Sequence, residues 1–414
     1  MKTVKKDIVI MGAGKIGRGL VAEIFYKSGY QLTFIDENKQ LINALQERGQ
    51  YIVIHLPDKD ERQESVISGY EAYSISDNER VNSKLEKTAT IAVAVFPESF
   101  GNVTEEIAKA IEERAFNENP QTLDIIICSN TFQPAKKFKK LLEDNLSLQG
   151  KRYLEDKVGL VETVVIRLAI EPTEEMKKKD PLVILTNGYP YMPMDKKAFK
   201  GELPRCEMIA YTENIFAEEV RKMYTYNMLH AAFCYIGFQK NLQYLVECTE
   251  DKEIREIADN ILKEASRGLQ LEFSFSDEDM EKWNKRVMID MSNPNLKAKL
   301  TRMGSNPVRK LKKDDRLVGP ALICRKNSIM PYYLAKAIAG AFIYFNPQDE
   351  ACVVIKEYLI QNGIIKAIKH FTQLEEEVEL ISMVVEHYNK MIAGCGIKEN
   401  TERVRLIKEA YEKV

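Results

Sequence analysis

Residues 7–17 read DIVIMGAGKIG, a short apolar run followed by three glycines in the pattern GxGxxG. Residues 15–27 then carry apolar side chains at helical spacing. The glycines therefore stand between a predicted strand and a predicted helix, which is the context that this motif requires. The stretch predicts a dinucleotide-binding fold; a tight turn without a ligand is the plainer alternative.

Each glycine of the motif has a predicted task. Gly12 permits the tight turn, Gly14 lets the backbone approach a pyrophosphate, and Gly17 lets the helix pack on the strand. The amides of Lys15 and Ile16 would face the phosphates at the helix N-terminus. Side chains at the glycine positions would obstruct this arrangement.

An acidic residue follows at the spacing expected for a ribose contact. The apolar run 31–35 ends at Asp36, about 20 residues beyond the glycine loop, where a carboxylate accepts hydrogen bonds from a ribose diol. A 2′-phosphate there would meet a like charge, so NAD is favoured over NADP, although Lys39 weakens that preference. Pro97 follows another apolar run and would lie at the carboxyl edge of the sheet, where a nicotinamide contact or an ordinary turn is expected.

Composition limits the kinds of partner. The chain has 414 residues, enough for two domains, and its 60 basic and 62 acidic residues give a net charge of −2. This balance provides no broad cationic field for nucleic acid or an anionic membrane, so a small-molecule partner is expected. Seven cysteines without CxxC spacing indicate neither a disulfide framework nor a metal site, and they fit a reducing cytoplasm. No apolar run indicates a signal peptide or a membrane span.

The predicted secondary structure differs between the two halves of the chain. Strand candidates lie at 7–11, 31–35, 51–55, 91–95, 124–128 and 182–186, and they alternate with helical patterns at 15–27, 38–48, 102–114 and 134–144. Beyond about residue 212, long helical patterns follow at 215–238, 252–272, 331–344, 374–393 and 399–413. We therefore expect a Rossmann-type doubly wound α/β sheet in 1–205, with extra strands in 51–75, and a mainly α-helical domain in 206–414.

The helical half opens with the string Lys222-Met223-Tyr224-Thr225-Tyr226-Asn227-Met228-Leu229-His230. Together with the two halves, this string resembles the mannitol dehydrogenase family of polyol-specific long-chain dehydrogenases, whose catalytic string is Lys, four residues, Asn, two residues, His. Alone it is a weak signal, since a surface lysine and packed polar residues give the same letters. Asn130 lies at the end of a predicted strand, where the family places an asparagine, and 309–320 looks like a segment of the branch that acts on mannitol 1-phosphate.

The resemblance implies a role for each matched residue. Lys222 would be the general base, Asn130 and Asn227 would donate to the developing alkoxide, and His230 would orient the substrate, without a metal. Arg309, Lys310 and Arg316 would hold a phosphate, or else form a solvated cationic loop. On an ideal helix Lys222 and Asn227 are about 140° apart and roughly 7.5 Å apart along the axis, so they converge only through the long lysine side chain or in a distorted turn.

Positions on the substrate side depart from the family. An acid is replaced by Ile166 before the retained Arg167, and the usual histidine, arginine and second arginine are replaced by Met280, Asp290 and Ser305. We therefore expect an NAD-dependent oxidoreductase that interconverts a polyol phosphate and a ketose phosphate, with mannitol 1-phosphate and fructose 6-phosphate as the first pair to test. A hexuronate reductase that acts on fructuronate or tagaturonate and a non-catalytic NAD-binding sensor are the alternatives. A monomer is weakly favoured by the family.

Overall fold

The computed structural model describes residues 6–118 and 121–394. The chain divides into two compact units between Glu219 and Val220; the domain limits 1–205 and 206–414 remain a prediction from the sequence. The predicted helix at 399–413 lies outside the described residues. No helix within the described ranges is both long and apolar enough to cross a membrane.

The first unit is built on β-strands. Within the described residues the strands are β1 (Asp7–Met11), β2 (Gln31–Asp36), β3 (Gln50–His55), β4 (Gln63–Ser68), β5 (Glu71–Ser74), β6 (Thr90–Val93), β7 (Leu123–Ile127), β8 (Val158–Glu162), β9 (Ala169–Ile170), β10 (Ile184–Thr186), β11 (Met192–Asp195) and β12 (Ile209–Thr212). The main sheet is parallel, in the order β5-β2-β1-β6-β7-β8. This is the strand order of dinucleotide-binding sheets, with the reversal beside β1. The predicted fold class is confirmed.

Side chains of β1 explain why helices cover both faces of this sheet. Ile8 and Ile10 belong to one buried apolar cluster, whereas Val9 and Met11 belong to another. Successive strand residues point to opposite faces, so a strand that is apolar throughout must be buried on both. The carboxyl ends of the parallel strands then share one edge.

A second sheet has the order β4-β3-β10-β9, and β11 pairs with β12 separately. The predicted extra strands at 51–55 and 65–67 belong to it, but two expectations are corrected. The strand predicted at 182–186 is β10 of this second sheet, and the last part of the 51–75 stretch, β5, belongs to the main sheet. The apolar pattern of a strand indicates that it is buried but not which strand it pairs with. Pairing depends on tertiary packing.

Helices complete the first unit and form most of the second. Within the described residues the α-helices are α1 (Ala22–Lys27), α2 (Lys39–Arg48), α3 (Asn78–Lys87), α4 (Phe100–Phe116), α5 (Pro134–Asp144), α6 (Leu148–Lys157), α7 (Glu174–Lys179), α8 (Ile215–Lys222), α9 (Met228–Gly237), α10 (Leu245–Glu250), α11 (Lys252–Phe273), α12 (Asp277–Met291), α13 (Leu300–Gly304), α14 (Pro307–Lys310), α15 (Val318–Lys326), α16 (Tyr332–Ile343), α17 (Glu350–Thr372) and α18 (Val378–Ile392). Two π-helical turns, Gly17–Val21 and Met223–Asn227, precede α1 and α9. The first begins at the last glycine of the GxGxxG motif, and the second lies within the string Lys222–His230.

Candidate active site

The glycine loop has the geometry that its sequence predicts. Gly12 has φ +99°, a conformation that L side chains rarely adopt. A Cβ on Gly17 would lie 1.9 Å from the carbonyl oxygen of Gly12, so the helix packs on the strand only with glycine there. A Cβ on Gly14 would meet no atom within 4 Å. This open side of the loop, at the start of a helix, is suited to bind a pyrophosphate.

Asp36 lies at the end of β2 and contacts the loop itself. Its Oδ2 accepts a hydrogen bond of 2.6 Å from the Ala13 amide, and its Oδ1 accepts one of 2.8 Å from the Asn38 amide. A carboxylate has about four acceptor sites, so two are left for a ribose diol. Gly12, Gly14 and Asp36 line a cavity of about 170 Å³. These residues fit the adenosine half of a dinucleotide.

Lys15 and Ile16 start the helix after the loop. The ammonium of Lys15 forms a salt bridge with Glu171, which also pairs with Lys177. Arg18 follows and donates from its amide to the carbonyl of Gly14 at 3.0 Å. The first turn therefore has helical geometry from residue 15 onwards, with Lys15 at its surface.

Pro97 and Asn130 lie at the same edge of the sheet as the glycine loop. Pro97 opens a short 3₁₀ turn after β6, and Asn130 is exposed three residues beyond β7. Phe96, beside Pro97, is 80% exposed and lines the cavity. In the first unit the loop, Asp36, Pro97 and Asn130 therefore all lie at or after the carboxyl ends of strands of the main sheet.

The string Lys222–His230 of the second unit lies on a distorted helix. Lys222 ends α8, and the π-helical turn Met223–Asn227 follows directly. The Met228 amide donates to the Met223 carbonyl, which joins residues five apart. Lys222 and Asn227 are also five apart, so the π turn brings them towards one face, where an ideal α-helix would separate them. The Asn227 Nδ2 contacts the Met223 sulfur at 3.3 Å.

Side chains outside the motif stabilise this turn. The Thr225 hydroxyl donates to the Arg221 carbonyl at 2.6 Å and accepts from the Trp283 indole N–H at 2.8 Å. The Arg221 guanidinium lies 4.3 Å from the Trp283 ring centroid and pairs with Asp279 at 2.5 Å. The sequence did not predict these contacts. The Arg221 carbonyl needs a side-chain donor only because the helix is distorted here, and the sequence does not show that distortion.

Positive charges surround His230. Burial lowers the pKa of His230 to about 3, and the charges of Arg316, Lys222, Lys310 and Arg302 act in the same direction. The imidazole is therefore neutral at pH 7. The sequence analysis did not predict a role for Arg302, because it belongs to no recognisable motif.

Two buried polar atoms in this region need partners. Within the described residues, His230 Nε2 and the Tyr226 hydroxyl are buried without a hydrogen-bond partner. The two rings are neighbours, with centroids 5.9 Å apart. Because buried polar groups are nearly always hydrogen-bonded, this pair fits a ligand that carries hydroxyl groups.

The three predicted phosphate contacts differ in burial. Lys310 is 3% exposed, Arg316 is partly buried and Arg309 is exposed. Burial lowers the pKa of Lys310 to about 8, and the charges of Arg316 and Arg309 act in the same direction. Lys310 Nζ donates to the Ser305 carbonyl, and Arg316 Nε pairs with Asp315 at 2.7 Å. A lysine held in this environment gains from binding an anion.

The basic segment, residues 309–316, is followed by Gly319, and both contact the π turn Met223–Asn227. The Tyr224 hydroxyl donates to the Asp314 carbonyl at 3.1 Å. A Cβ on Gly319 would lie 2.2 Å from the same hydroxyl oxygen, so only glycine permits this approach. The second unit thus brings Lys222, Asn227 and His230 together with the basic segment.

Two of the positions that depart from the family, Met280 and Asp290, are buried in the structure. Met280 is 1% exposed in the interior of α12, and the buried Asp290 pairs with Arg286 at 2.8 Å. Arg167, which the sequence suggested on the substrate side, instead forms a buried ion pair with Glu23 in the first unit. In this chain Met280 therefore packs in the interior, and Asp290 and Arg167 form ion pairs within the protein.

Two family models match the chain. The mannitol dehydrogenase Rossmann domain matches residues 6–208, and the mannitol dehydrogenase C-terminal domain matches residues 214–414. Among curated relatives, the mannitol-1-phosphate 5-dehydrogenase of Thermoanaerobacter pseudethanolicus is 27% identical over 383 residues, which are 92% of this chain and 97% of the relative. The protein of the same name from Streptococcus pneumoniae is 27% identical over 382 residues, which are 92% of this chain and all of the relative.

Solved structures agree on the fold. A D-sorbitol dehydrogenase in substrate-free form has a TM-score of 0.82 at 13% identity, covering 95% of this chain and 94% of that one. Mannitol 2-dehydrogenase from Pseudomonas fluorescens, in a ternary complex with NAD and D-mannitol, has a TM-score of 0.71 at 13% identity. That alignment covers 100% of this chain and 95% of the other.

Proposed function

The chain belongs to the mannitol dehydrogenase family and is an oxidoreductase, and from that premise we propose that it interconverts a polyol phosphate and a ketose phosphate with NAD. Mannitol 1-phosphate and fructose 6-phosphate are the proposed pair. The observation that carries the proposal is the cluster of cations around neutral His230, next to the distorted turn that holds Lys222 and Asn227.

The first unit would hold the cofactor. The Rossmann domain of this chain, and the NAD in the ternary complex of the Pseudomonas fluorescens mannitol 2-dehydrogenase, support a nicotinamide dinucleotide. Gly12 and Gly17 would shape the loop, and the backbone at Gly14 with the amides of Lys15 and Ile16 would bind the pyrophosphate. Asp36 would bind the ribose and Pro97 would contact the nicotinamide. When bound, the nicotinamide supplies the hydride chemistry. The preference for NAD rests on Asp36, whose carboxylate would repel a 2′-phosphate.

Lys222 would remove the hydroxyl proton of the alcohol. A general base must be neutral when it acts, so Lys222, which is 9% exposed, would act as the free amine. His230 is a poor alternative as the base, because burial lowers its pKa to about 3. Its neutral ring would instead hydrogen-bond a substrate hydroxyl and fix the position of the reacting carbon.

Amide donors would stabilise the charge that develops on the substrate oxygen. Asn227 carries an Nδ2 group on the π turn, and its contact with the Met223 sulfur is weak enough to be exchanged for an alkoxide. Asn130 keeps the second donor role that the family resemblance implies. Amides add no charge that would compete with protonation of Lys222.

The basic segment would bind the phosphate. Lys310 and Arg316 act on His230 together with Arg302, so a dianion there would relieve the repulsion among three cations. Arg309 is exposed and would contribute at longer range. A carboxylate carries half the charge of a phosphate dianion, so hexuronates are the second class to test.

The test is NADH oxidation at 340 nm with fructose 6-phosphate, fructose, fructuronate and tagaturonate in separate wells. Turnover with fructose 6-phosphate at least about 100-fold above fructose is expected, because a paired phosphate contributes about 3 kcal/mol. Turnover with the hexuronates alone would replace the proposal by a hexuronate reductase. NADH binding without turnover on the whole panel would indicate a sensor.

A further inference from the structure

A buried carboxylate lies close behind the glycine loop. Glu23, on α1, is fully buried. Its Oε1 accepts from His55 Nε2 at 2.8 Å, the Ser65 hydroxyl at 2.6 Å and Lys27 Nζ at 2.7 Å, and its Oε2 accepts from Arg167 Nη1. Burial opposes its charge, yet the hydrogen bond from His55 and the charge of Arg167 hold the pKa of Glu23 well below its usual range.

Arg167 connects this carboxylate to the π-helical turn Gly17–Val21. Its Nη1 also donates to the Gly19 carbonyl at 2.8 Å, and its Nε donates to the Tyr189 carbonyl at 2.8 Å. Within the same turn the Arg18 carbonyl accepts from the Tyr51 hydroxyl at 2.9 Å. A π turn departs from the i→i+4 ladder of an α-helix, so donors from outside the helix stabilise it.

The π-helical turn Gly17–Val21 also contacts the glycine loop through Arg18. Arg18 Nε donates to the Ala13 carbonyl at 2.7 Å, while the Ala13 amide donates to Asp36 at 2.6 Å. Arg18 Nη1 donates to the Leu182 carbonyl at 2.5 Å. Both backbone groups of Ala13 are therefore fixed, one of them through the turn that Arg167 contacts.

Three of these contacts come from the second sheet. Tyr51 and His55 belong to β3 and Ser65 belongs to β4. A Cβ on Gly19 would lie 2.6 Å from the Ile184 Cγ2 atom of β10, so the sheet packs directly on the turn. The strands beyond the minimal nucleotide fold thus support the helix whose N-terminus faces the phosphates.

We propose that Arg167 is a positioning residue for the dinucleotide: its fork joins Glu23 to the Gly19 carbonyl and keeps the amides after the glycine loop in place for the pyrophosphate. The inference rests on the proposed use of this loop for NAD. It moves Arg167 from the substrate side, where the sequence suggested it, to cofactor binding. Affinity for the dinucleotide then depends on a buried residue about 150 positions from the loop.

The experiment is a fluorescence titration of the full-length protein with NADH. Arg167→Lys keeps the charge but has a single donor nitrogen, so it cannot reproduce the fixed, separate directions of Nε and Nη1. Tyr51→Phe removes only the hydroxyl that donates to the Arg18 carbonyl. Lys27→Met is the matched control, because it removes a cation from the same Glu23 carboxylate on the half-exposed side. Asp124→Asn weakens the first unit at Lys200 and Gly201, away from the loop.

We expect the Kd for NADH to rise about tenfold in Arg167→Lys and about threefold to fivefold in Tyr51→Phe. It should change less than about twofold in Lys27→Met, since a half-exposed ion pair contributes little. Asp124→Asn should lower the melting temperature and leave the Kd unchanged. At saturating NADH, the KM for the ketose phosphate should stay within about threefold in all four variants.

Two other results would be decisive. Equal Kd values in Arg167→Lys, Tyr51→Phe and Lys27→Met would overturn the positioning role; if Arg167→Lys does not fold, the comparison of Tyr51→Phe with Lys27→Met decides alone. Failure of the wild-type protein to bind NADH would overturn the proposed function itself. The wild-type titration therefore separates the two failures.

Discussion

Replacing Lys310 by methionine should stabilise the protein and weaken substrate binding at once. Lys310 is 3% exposed, and burial lowers its pKa from the ordinary value of 10.5 to about 8. A difference of about 2.5 units corresponds to about 3 kcal/mol by which folding disfavours the ammonium at pH 7. Methionine has a similar length without the charge. It gives up the hydrogen bond to the Ser305 carbonyl, at a cost of about 1 kcal/mol.

The net expectation is that Lys310→Met raises the free energy of unfolding by about 2 kcal/mol at pH 7. The advantage should depend on pH. The folded pKa lies below the unfolded one, so wild type carries the whole penalty below about pH 8 and loses it progressively between about pH 8 and pH 10.5. The stabilities of variant and wild type should therefore converge as the pH rises.

Urea unfolding of both proteins at pH 7 and pH 10 measures this difference. Arg309→Met is the control, since that neighbouring side chain is exposed and its replacement should change stability by less than about 0.5 kcal/mol. A variant that is less stable than wild type by the same amount at both pH values would show that the buried charge of Lys310 does not destabilise the folded protein. The same substitution should raise the KM for fructose 6-phosphate at least about tenfold, while the KM for fructose stays unchanged.

Three further predictions concern the loop, the turn and the pH profile. Thr225→Val should lower kcat about 10-fold to 100-fold, with the Kd for NADH unchanged and Thr225→Ser close to wild type, because the π turn loses its hydroxyl contacts; equal kcat values in Val and Ser variants would contradict this. Asp36→Ala should weaken NAD binding about tenfold and narrow its preference over NADP, measured by titration with both reduced cofactors; an unchanged preference would show that Asp36 does not contact the ribose. The kcat/KM for the ketose phosphate should fall above about pH 8, where Lys310 loses its charge, and Lys310→Met should remove that limb of the profile; a limb that persists in the variant belongs to another group.

Local patterns in the sequence predicted much of the first unit. The run 7–11, the glycines and Asp36 give a strand, a turn and an acid, and each follows from short-range rules of backbone conformation and burial. Partner choice among strands was not predictable, because β10 and the strands of the main sheet are equally apolar. Helix α17 was missed because Gly363 interrupts it with φ +74°.

In the candidate site, too, the sequence predicted the residues of local motifs but not the contacts between distant residues. Lys222, Asn227 and His230 were singled out by spacing, and their need for a distorted turn followed from helix geometry. The roles of Thr225 and Trp283 depend on contacts between residues 58 positions apart, which one sequence does not reveal. The sequence analysis put Arg167 on the substrate side as a retained arginine beside a lost acid, whereas its ion pair in the structure is with Glu23.

The proposed roles of Lys222 and the glycine loop are tested most directly by comparing Lys222→Ala with wild type in two readouts, kcat for NADH oxidation with fructose 6-phosphate and the Kd for NADH. We expect kcat to fall by about 10³-fold or more while the Kd changes less than about twofold, because the proposed base and the proposed cofactor loop are separate. A kcat near that of wild type, or an equal loss in both readouts, would contradict these roles.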